Sequence, residues 1–410
     1  MKNIKILPYR HALAARKSIS FTIIKYLSII MSVLLTSSVV VAAVAYHQLT
    51  SEIKIISLPV EDDAPVTPVI DTFEGEVNML VLASDTKKGQ DSIFGKDKGG
   101  ELADAIMLVK VYPNHKNLIV TSFPRDLMVE ALECKNPQTG ALFEGGFVQI
   151  NSTLQGGAGC TLQTIEDMTG LNIPYLAMID FEGVIQMSNA IGGVEVCVSE
   201  PIEDPYTKLY LDAGNHTLKG LDAAQFLRTR HGVGDGSDLG RISIQQLFLS
   251  ALVRKIKSDD TLTNPITLYS LAKATTQNLS LSENLTNPTT LVSMAKIFKS
   301  VNMNEIVFLR VPVTTGGSEY PNRVLLDADN ASSLFELMKS NTPITISGEN
   351  TGNSASKVGD TPKSNENSKD IAATQNPDAV TSDEPKADNE PFDLSKSAVG
   401  QKASDITCTK

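Results

Sequence analysis

The chain has 410 residues and a formal net charge of −11, with 41% hydrophobic and 20% charged residues, 5% aromatics and no tryptophan. That length allows one large domain or two ordinary ones. The acidic balance and the lack of an aromatic stacking platform exclude a general nucleic-acid binder, which neutralises phosphates with Lys and Arg clustered over a surface.

Residues 1–25 carry Lys2, Lys5, Arg10, Arg16, Lys17 and Lys25 and no acid. Tyr26–Tyr46 then contains no charge at all. About 20 apolar residues cross a bilayer, whereas the apolar core of a cleaved signal peptide is only about 7–15 residues long. The span therefore reads as an uncleaved membrane anchor. Basic residues before it place the N-terminus in the cytoplasm and the rest outside, at the cell membrane. Residues 47–72, with Pro59, Pro65 and Pro68 among acids, read as an extracellular linker. Residues 346–410 are rich in Ser, Asn, Asp, Lys and Pro and read as a disordered polar tail, too poor in apolar surface to offset ordering entropy.

Between linker and tail, 73–345 reads as one domain. Buried strands are expected at 77–84 (VNMLVLAS), 105–113 and 117–124, the last two joined as a hairpin around Asn114–Lys116. A helix follows at 160–170, a strand at 175–180, a helix at 181–193 and a strand at 194–200. Helices are expected at 218–230 and 241–258, a strand at 304–313 and a helix at 331–340. Strands and helices intermixed with hairpins favour a three-layer α/β/α fold around a mixed central sheet. In an exported domain disulfides are permitted. Cys134 and Cys160 lie in loop-like sequence and form the better pair. Cys197, in VEVCV, reads as a buried free thiol, and Cys408 lies in the tail.

Four places carry residues suited to chemistry. Asp85 directly follows a buried strand, at the sheet edge where open α/β folds bind ligands. Asp104 precedes another strand, and two such carboxylates suit a hard cation whose shell phosphate oxygens complete. Arg125 follows the strand ending SFP, beside Asp126. Finally, LRTRHGVGDGSDLGRI (227–242) gathers Arg228, Arg230, Asp238 and Arg241 around a glycine-rich loop, with Gln245 one turn beyond. Planar guanidinium forks grip phosphate oxygens, so arginines brought together from several elements fit a diphosphate.

The succession SD, AD-AIML, S-PRD, N-x(4)-GG (Asn151, Gly156, Gly157), IGGVEV, G-x-x-A-x-x-x-x-R-x-R and D-x-G-R-x-x-x-Q resembles the LytR-CpsA-Psr family from about Asn78 to Ser258. The resemblance implies a membrane phosphotransferase that takes a glycopolymer from a polyprenyl diphosphate carrier and transfers it, as a glycosyl phosphate, to N-acetylmuramic acid of peptidoglycan. It implies Mg²⁺ (or Mn²⁺) at Asp85 and Asp104, diphosphate binding by Arg125, Arg228, Arg230 and Arg241, and framing by Asp238 and Gln245. The general base is left open between Asp85 and Asp238. The chain departs from the family at Leu102 and Ile244, where arginine is common, and at Ala105, where threonine is frequent. A polyprenyl diphosphate pyrophosphatase and a non-catalytic envelope protein binding lipid or glycan are the competing readings.

Overall fold

The computed structural model describes residues 19–50, 53–56, 58, 75–85, 101–234, 236–258, 261, 264–346, 355–357, 391–394 and 398–409. It divides into two compact units, Met1–Ser51 and Glu52–Lys410. The first contains helix α1 (Ile19–Thr50), of 32 residues. At 1.5 Å per residue it is about 48 Å long, more than the hydrocarbon core of a bilayer requires. Its window Ile23–Val40 is long and apolar enough to cross a membrane. The basic segment expected at 1–25 lies largely outside the described residues, as does most of the 47–72 linker.

The second unit is built on a mixed sheet. Its strands are β1 (Lys54–Ile56), β2 (Val77–Ser84), β3 (Ala103–Val111), β4 (Leu118–Phe123), β5 (Tyr175–Ile179), β10 (Leu279–Ser282), β11 (Ile306–Arg310) and β13 (Val399–Lys402). Their spatial order is β1-β10-β5-β2-β3-β4-β11-β13. A smaller sheet combines β6 (Val194–Val198), β9 (Gly214–Leu218), β12 (Ala355–Lys357) and β14 (Thr407–Thr409), and β7 (Ile202–Asp204) pairs with β8 (Leu209–Leu211) as a ribbon. The helices are α2 (Ala158–Thr169), α3 (Phe181–Ala190), α4 (Leu221–Arg228), α5 (Asp238–Lys257), α6 (Pro265–Asn278), α7 (Pro288–Ser300) and α8 (Ala328–Lys339).

The main sheet is buried on both faces, and the two-residue period of its strands divides the core. Leu80 and Leu82 pack in one cluster with Leu162 and Ile165 of α2 and Leu334 and Met338 of α8. Val77 and Met79 belong to the opposite cluster, with Val253 of α5 and Phe298 of α7. The same split recurs on β11, where Val307 and Leu309 face one way and Ile306 and Phe308 the other. This is the expected three-layer α/β/α arrangement. The expected hairpin is the antiparallel β3–β4 pair. Its turn is set by Asn114, whose side chain accepts from Lys116 N at 2.8 Å.

Two expectations need correction. The 346–410 segment does not end as a featureless tail: β13 pairs antiparallel with β11, extending the main sheet, and β14 pairs parallel with β6. Arg254 of α5 donates to the carbonyls of Ala403 and Asp405, 2.7 Å each, holding the turn between the two strands. The composition of the whole segment hid this, because few of its residues are apolar; among the described ones Leu394, Ala398 and Ala403 are buried. The rest of the expected tail, 347–354, 358–390, 395–397 and 410, lies outside the described residues. The second correction is Cys197, which is not a free thiol: it forms a disulfide with Cys408, their strands lying side by side in register. The expected Cys134–Cys160 disulfide is present. A Cβ on Gly156 would come within 2.8 Å of Cys160 Sγ and 2.9 Å of Cys134 Cβ, so the first glycine of the N-x(4)-GG motif makes room for this bridge.

Candidate active site

One edge of the main sheet collects the predicted residues. β2 and β3 are antiparallel, so the end of one and the start of the other lie together. Ala83 pairs with Ala105 but Ser84 pairs with Ala103, which leaves Asp104 without a partner in the ladder. A bulge of this kind redirects a side chain. Just beyond it, Asp85 N donates to Leu102 O (3.0 Å) and Leu102 N donates to Asp85 Oδ1 (2.8 Å). Asp85 therefore fixes the mouth of the strand pair, and its charge acts to raise the pKa of Arg228. β4 delivers Arg125 to the same edge, where Nη1 donates to Asp104 Oδ1 at 2.7 Å.

Helices complete the cluster. Arg228 closes α4, where a cation suits the helix dipole. Its guanidinium lies 4.4 Å from the centre of the Phe181 ring at the start of α3. α5 begins with Ser237 as its cap, accepting from Gly240 N at 3.0 Å, followed by Asp238. Arg241, in the first turn, works against the dipole and is 4% exposed. Asp238 and Asp104 make that placement tolerable. Arg241 Nη2 lies 2.8 Å from Asp238 Oδ1, Nη1 lies 3.6 Å from Asp104 Oδ1, and Nη2 also donates to Asp104 O at 2.8 Å. Arg125 Nε lies 3.2 Å from Asp238 Oδ1.

Burial pushes the Asp104 carboxyl up, but Arg241, Arg125 and Arg228 outweigh it and hold the group below the usual range. Burial, then Arg241, lowers Arg228; burial lowers Arg241, with Arg125 and Arg230 adding to the effect. Arg125 is raised, because Asp104 and Asp238 overcome its burial. Arg125, Arg228 and Arg241 keep their charge at neutral pH. They thus share one field, and their mutual repulsion is only partly answered. Neither oxygen of Asp238 receives an aligned hydrogen bond, and Nε of Arg125, Arg230 and Arg241 is buried without a hydrogen-bond acceptor among the described residues. Guanidinium groups gathered at one sheet edge suit an anion with several acceptor oxygens.

A cavity of about 260 Å³ opens onto this cluster. Arg241, Gln245, Phe248, Leu252 and Ile256 line it in succession along α5, from its first turn toward its last. At 1.5 Å per residue that run covers about 22 Å. Met107, Ala177, Val184 and Leu279 supply apolar walls, and Asp104 and Arg228 reach it beside Arg241. Gln245 is tied back by Nε2 to Leu227 O at 3.3 Å. The cavity is therefore charged at one end and apolar along its length.

Asp104, Arg125, Arg228, Asp238, Arg241 and Gln245 are brought together by these contacts and this cavity, whereas Asp85 and Arg230 act on them through charge, Asp85 on Arg228 and Arg230 on Arg241. Arg125 is not the exposed partner of Asp126: that separation is 3.9 Å, and Asp126 Oδ1 accepts instead from Gln149 Nε2 at 2.8 Å. Ile244 is fully buried in the cluster formed by α3, α4, α5 and the smaller sheet, so this position faces core rather than the site. Sequence reasoning missed Phe181, whose only signal was an aromatic at a helix start. It also missed Asp204, a buried carboxylate that accepts from Thr229 Oγ1 at 2.7 Å and from Arg230 N at 3.2 Å.

A sequence model of the LytR_cpsA_psr family matches residues 43–341. The chain belongs to this family. Among relatives of the LytR_cpsA_psr chain, the cell wall biosynthesis protein LcpA of Corynebacterium glutamicum is 25% identical over 292 residues, covering 64% of this chain and 55% of LcpA. The probable cell wall biosynthesis protein LcpB of the same organism is 32% identical over 216 residues, covering 51% and 49%. The chain thus spans about half the length of these relatives. The fold is shared with a LytR-Csp2A-Psr enzyme from Actinomyces oris (TM-score 0.52, 22% identity, 70% of this chain and 96% of that one). It is also shared with Bacillus subtilis TagV (TM-score 0.51, 20% identity, 66% and 98%).

Proposed function

We propose that the protein is a membrane-anchored phosphotransferase that moves a glycopolymer, as its glycosyl phosphate, from a polyprenyl diphosphate to peptidoglycan. The observation that carries this reading is one cavity whose charged end is lined by Asp104, Arg228 and Arg241 and whose length is apolar. A polyprenyl diphosphate has the same division: two phosphates and a hydrocarbon tail. The family supports the reading through relatives such as TagV of B. subtilis, named a polyisoprenyl-teichoic acid–peptidoglycan teichoic acid transferase, 27% identical over 162 residues. The catalytic unit lies outside the cell membrane in this proposal, with α1 as its anchor.

In the reaction, an acceptor hydroxyl oxygen attacks the phosphorus that bears the sugar. The bond from that phosphorus to the bridging oxygen breaks, and polyprenyl phosphate leaves with the bond's electrons. Arg125, Arg228, Arg230 and Arg241 hold the diphosphate and stabilise charge gathering on the leaving oxygen, which is most of what phosphoryl transfer asks of a protein. Asp85 or Asp238 takes the acceptor proton. Asp85 and Asp104 are hard oxygen donors at adjoining strand ends, and both contacts of Asp104 with arginine side chains fall on Oδ1. That chemistry fits Mg²⁺ or Mn²⁺, whose remaining ligands would be phosphate oxygens and water. When bound, the ion supplies further charge neutralisation.

The test incubates the full chain in nanodiscs with Mg²⁺, a lipid-linked donor labelled in its sugar phosphate, and a peptidoglycan oligomer. Label transferred to the oligomer is expected. Free phosphosugar accumulating with an unlabelled oligomer would mean hydrolysis and end the transferase reading.

A further inference from the structure

A second cavity, of about 400 Å³, lies between Glu200 and Glu203 on one side and the His231–Gly234 loop on the other. Beside it the β7–β8 ribbon carries two tyrosines that bury little. Tyr206 is 80% exposed and Tyr210 64% exposed. The Tyr206 ring lies 4.5 Å from the His231 imidazole, their planes inclined by 41°. Glu203 and Tyr210 are directly paired across the ribbon, so a carboxylate and a ring share one exposed face. Two exposed tyrosines, an exposed histidine and two acids around one hollow form a continuous patch, unlike a single stray surface ring.

Asp204 ties this patch to the active site. Buried at the end of β7, its Oδ1 accepts from Tyr206 N at 2.9 Å, while Oδ2 accepts from Thr229 Oγ1 and Arg230 N. Thr229 stands between Arg228 and Arg230, so one carboxylate ties the ring-bearing turn to the backbone that carries the two arginines. Gly232 closes the loop onto the ribbon: a Cβ there would meet Ile202 Cγ2 at 2.8 Å. The patch and the backbone on either side of Thr229 are therefore joined through Asp204.

The chemistry of the patch is opposite to that of the guanidinium cluster. Carboxylates accept hydrogen bonds from hydroxyl and amide groups and repel phosphate. Aromatic faces offer an apolar platform with polar edges, suited to the C–H face of a sugar ring. From this we infer that Tyr206, Tyr210, His231, Glu200 and Glu203 form a glycan subsite that holds uncharged N-acetylated sugars of the acceptor strand, next to the hydroxyl that receives the phosphate. The inference rests on the transferase reading for its choice of acceptor. The acids keep the anionic donor polymer out of this subsite and so give the two substrates separate seats.

The test uses the full chain in nanodiscs and an uncharged tetrasaccharide of N-acetylated amino sugars, with affinity read by calorimetry and no donor present. Wild type binds. Tyr206→Ala and His231→Ala each weaken binding about tenfold or more, while Tyr206→Phe, which keeps the ring, stays within about twofold. In transfer assays the same alanine variants raise the acceptor KM and leave the donor KM unchanged. Arg228→Ala abolishes transfer yet keeps wild-type glycan affinity. If wild type fails to bind the tetrasaccharide, or if both alanine variants bind it normally, the subsite is refuted and the transferase reading stands. If glycan binds as described but wild type never transfers label, the subsite stands and the transferase reading falls.

Discussion

Arg241 and Asp238, one turn apart at the start of α5, lie 2.8 Å apart with side chains only 4% and 6% exposed. Asp238 also faces Arg125 at 3.2 Å, so a single carboxylate restrains two of the proposed phosphate ligands. Removing it strands buried positive charge. Asp238→Ala should lose roughly 3–5 kcal/mol of stability, the usual cost of breaking a buried pair from one side. The double variant D238L/R241M should recover a large part of that loss, because an apolar replacement of the pair leaves no unpaired charge. Urea denaturation of the three proteins checks this, and an Asp238→Ala protein as stable as wild type would show that Asp104 alone satisfies Arg241.

Asp104 links the site to acid stability. Burial works to raise its pKa, but Arg241 and Arg125 hold it below the ordinary carboxylate range. A carboxyl whose folded pKa is lower than its unfolded value, about 3.9 for Asp, stabilises the fold above that value, and the contribution fades as pH falls through the folded pKa. Wild type should therefore lose more stability below about pH 4 than Asp104→Asn does. Glu76 is also lowered: burial raises it, but the buried Lys110 and Asn78 outweigh this, and it titrates alike in both proteins. Superimposable acid-denaturation curves would contradict the assignment.

Arg228 acts through a planar fork as well as a charge. Stacked 4.4 Å from the Phe181 ring, it has an orientation that lysine cannot reproduce. Arg228→Lys should keep the melting temperature within about 2 °C, since the side chain is only half-buried, yet lower kcat/KM for the lipid donor about 10- to 100-fold. Steady-state kinetics at saturating acceptor would measure it, and unchanged kcat/KM would reduce Arg228 to a dipole-capping charge.

The apolar length of the cavity gives a prediction that depends on chain length. Ile256 of α5, near the opposite end of the helix from Arg241, lines it away from the charged end. Ile256→Trp should raise KM several-fold for a donor with a long polyprenyl tail and leave a short-tailed donor nearly unaffected, since each buried methylene contributes about 0.8 kcal/mol. Comparing the two donors on the same variant removes any general damage to the fold. Equal effects on both would place the tail elsewhere.

Much of this was legible in the primary structure, for physical reasons. The main strands are long enough for their apolar runs to stand out, and the arginines announce themselves in an acidic chain. The bulge that aims Asp104 was not legible, because it depends on register between β2 and β3 rather than on either strand alone. Nor was Asp204, an ordinary turn acid until its partners Thr229 and Arg230 are brought to it. β13 and β14 are four and three residues long. Segments so short carry no periodicity, and their hydrogen bonds are supplied by β11 and β6, distant in sequence.

The end of the chain gives the last prediction. Cys197 and Cys408 are 211 residues apart, and their bond closes β14 against β6. Loop-closure entropy grows with the logarithm of loop length, so a bridge this long should stabilise by roughly 3–5 kcal/mol through the unfolded state. Cys408→Ser should lower the melting temperature by several degrees or more. The Cys134–Cys160 bridge spans 26 residues and lies outside that loop, so Cys160→Ser should cost less entropically and the two losses should add. Thermal melts of both single variants and the double decide it. If Cys408→Ser melts with wild type, β14 is held by its ladder alone and the disulfide contributes nothing to the fold.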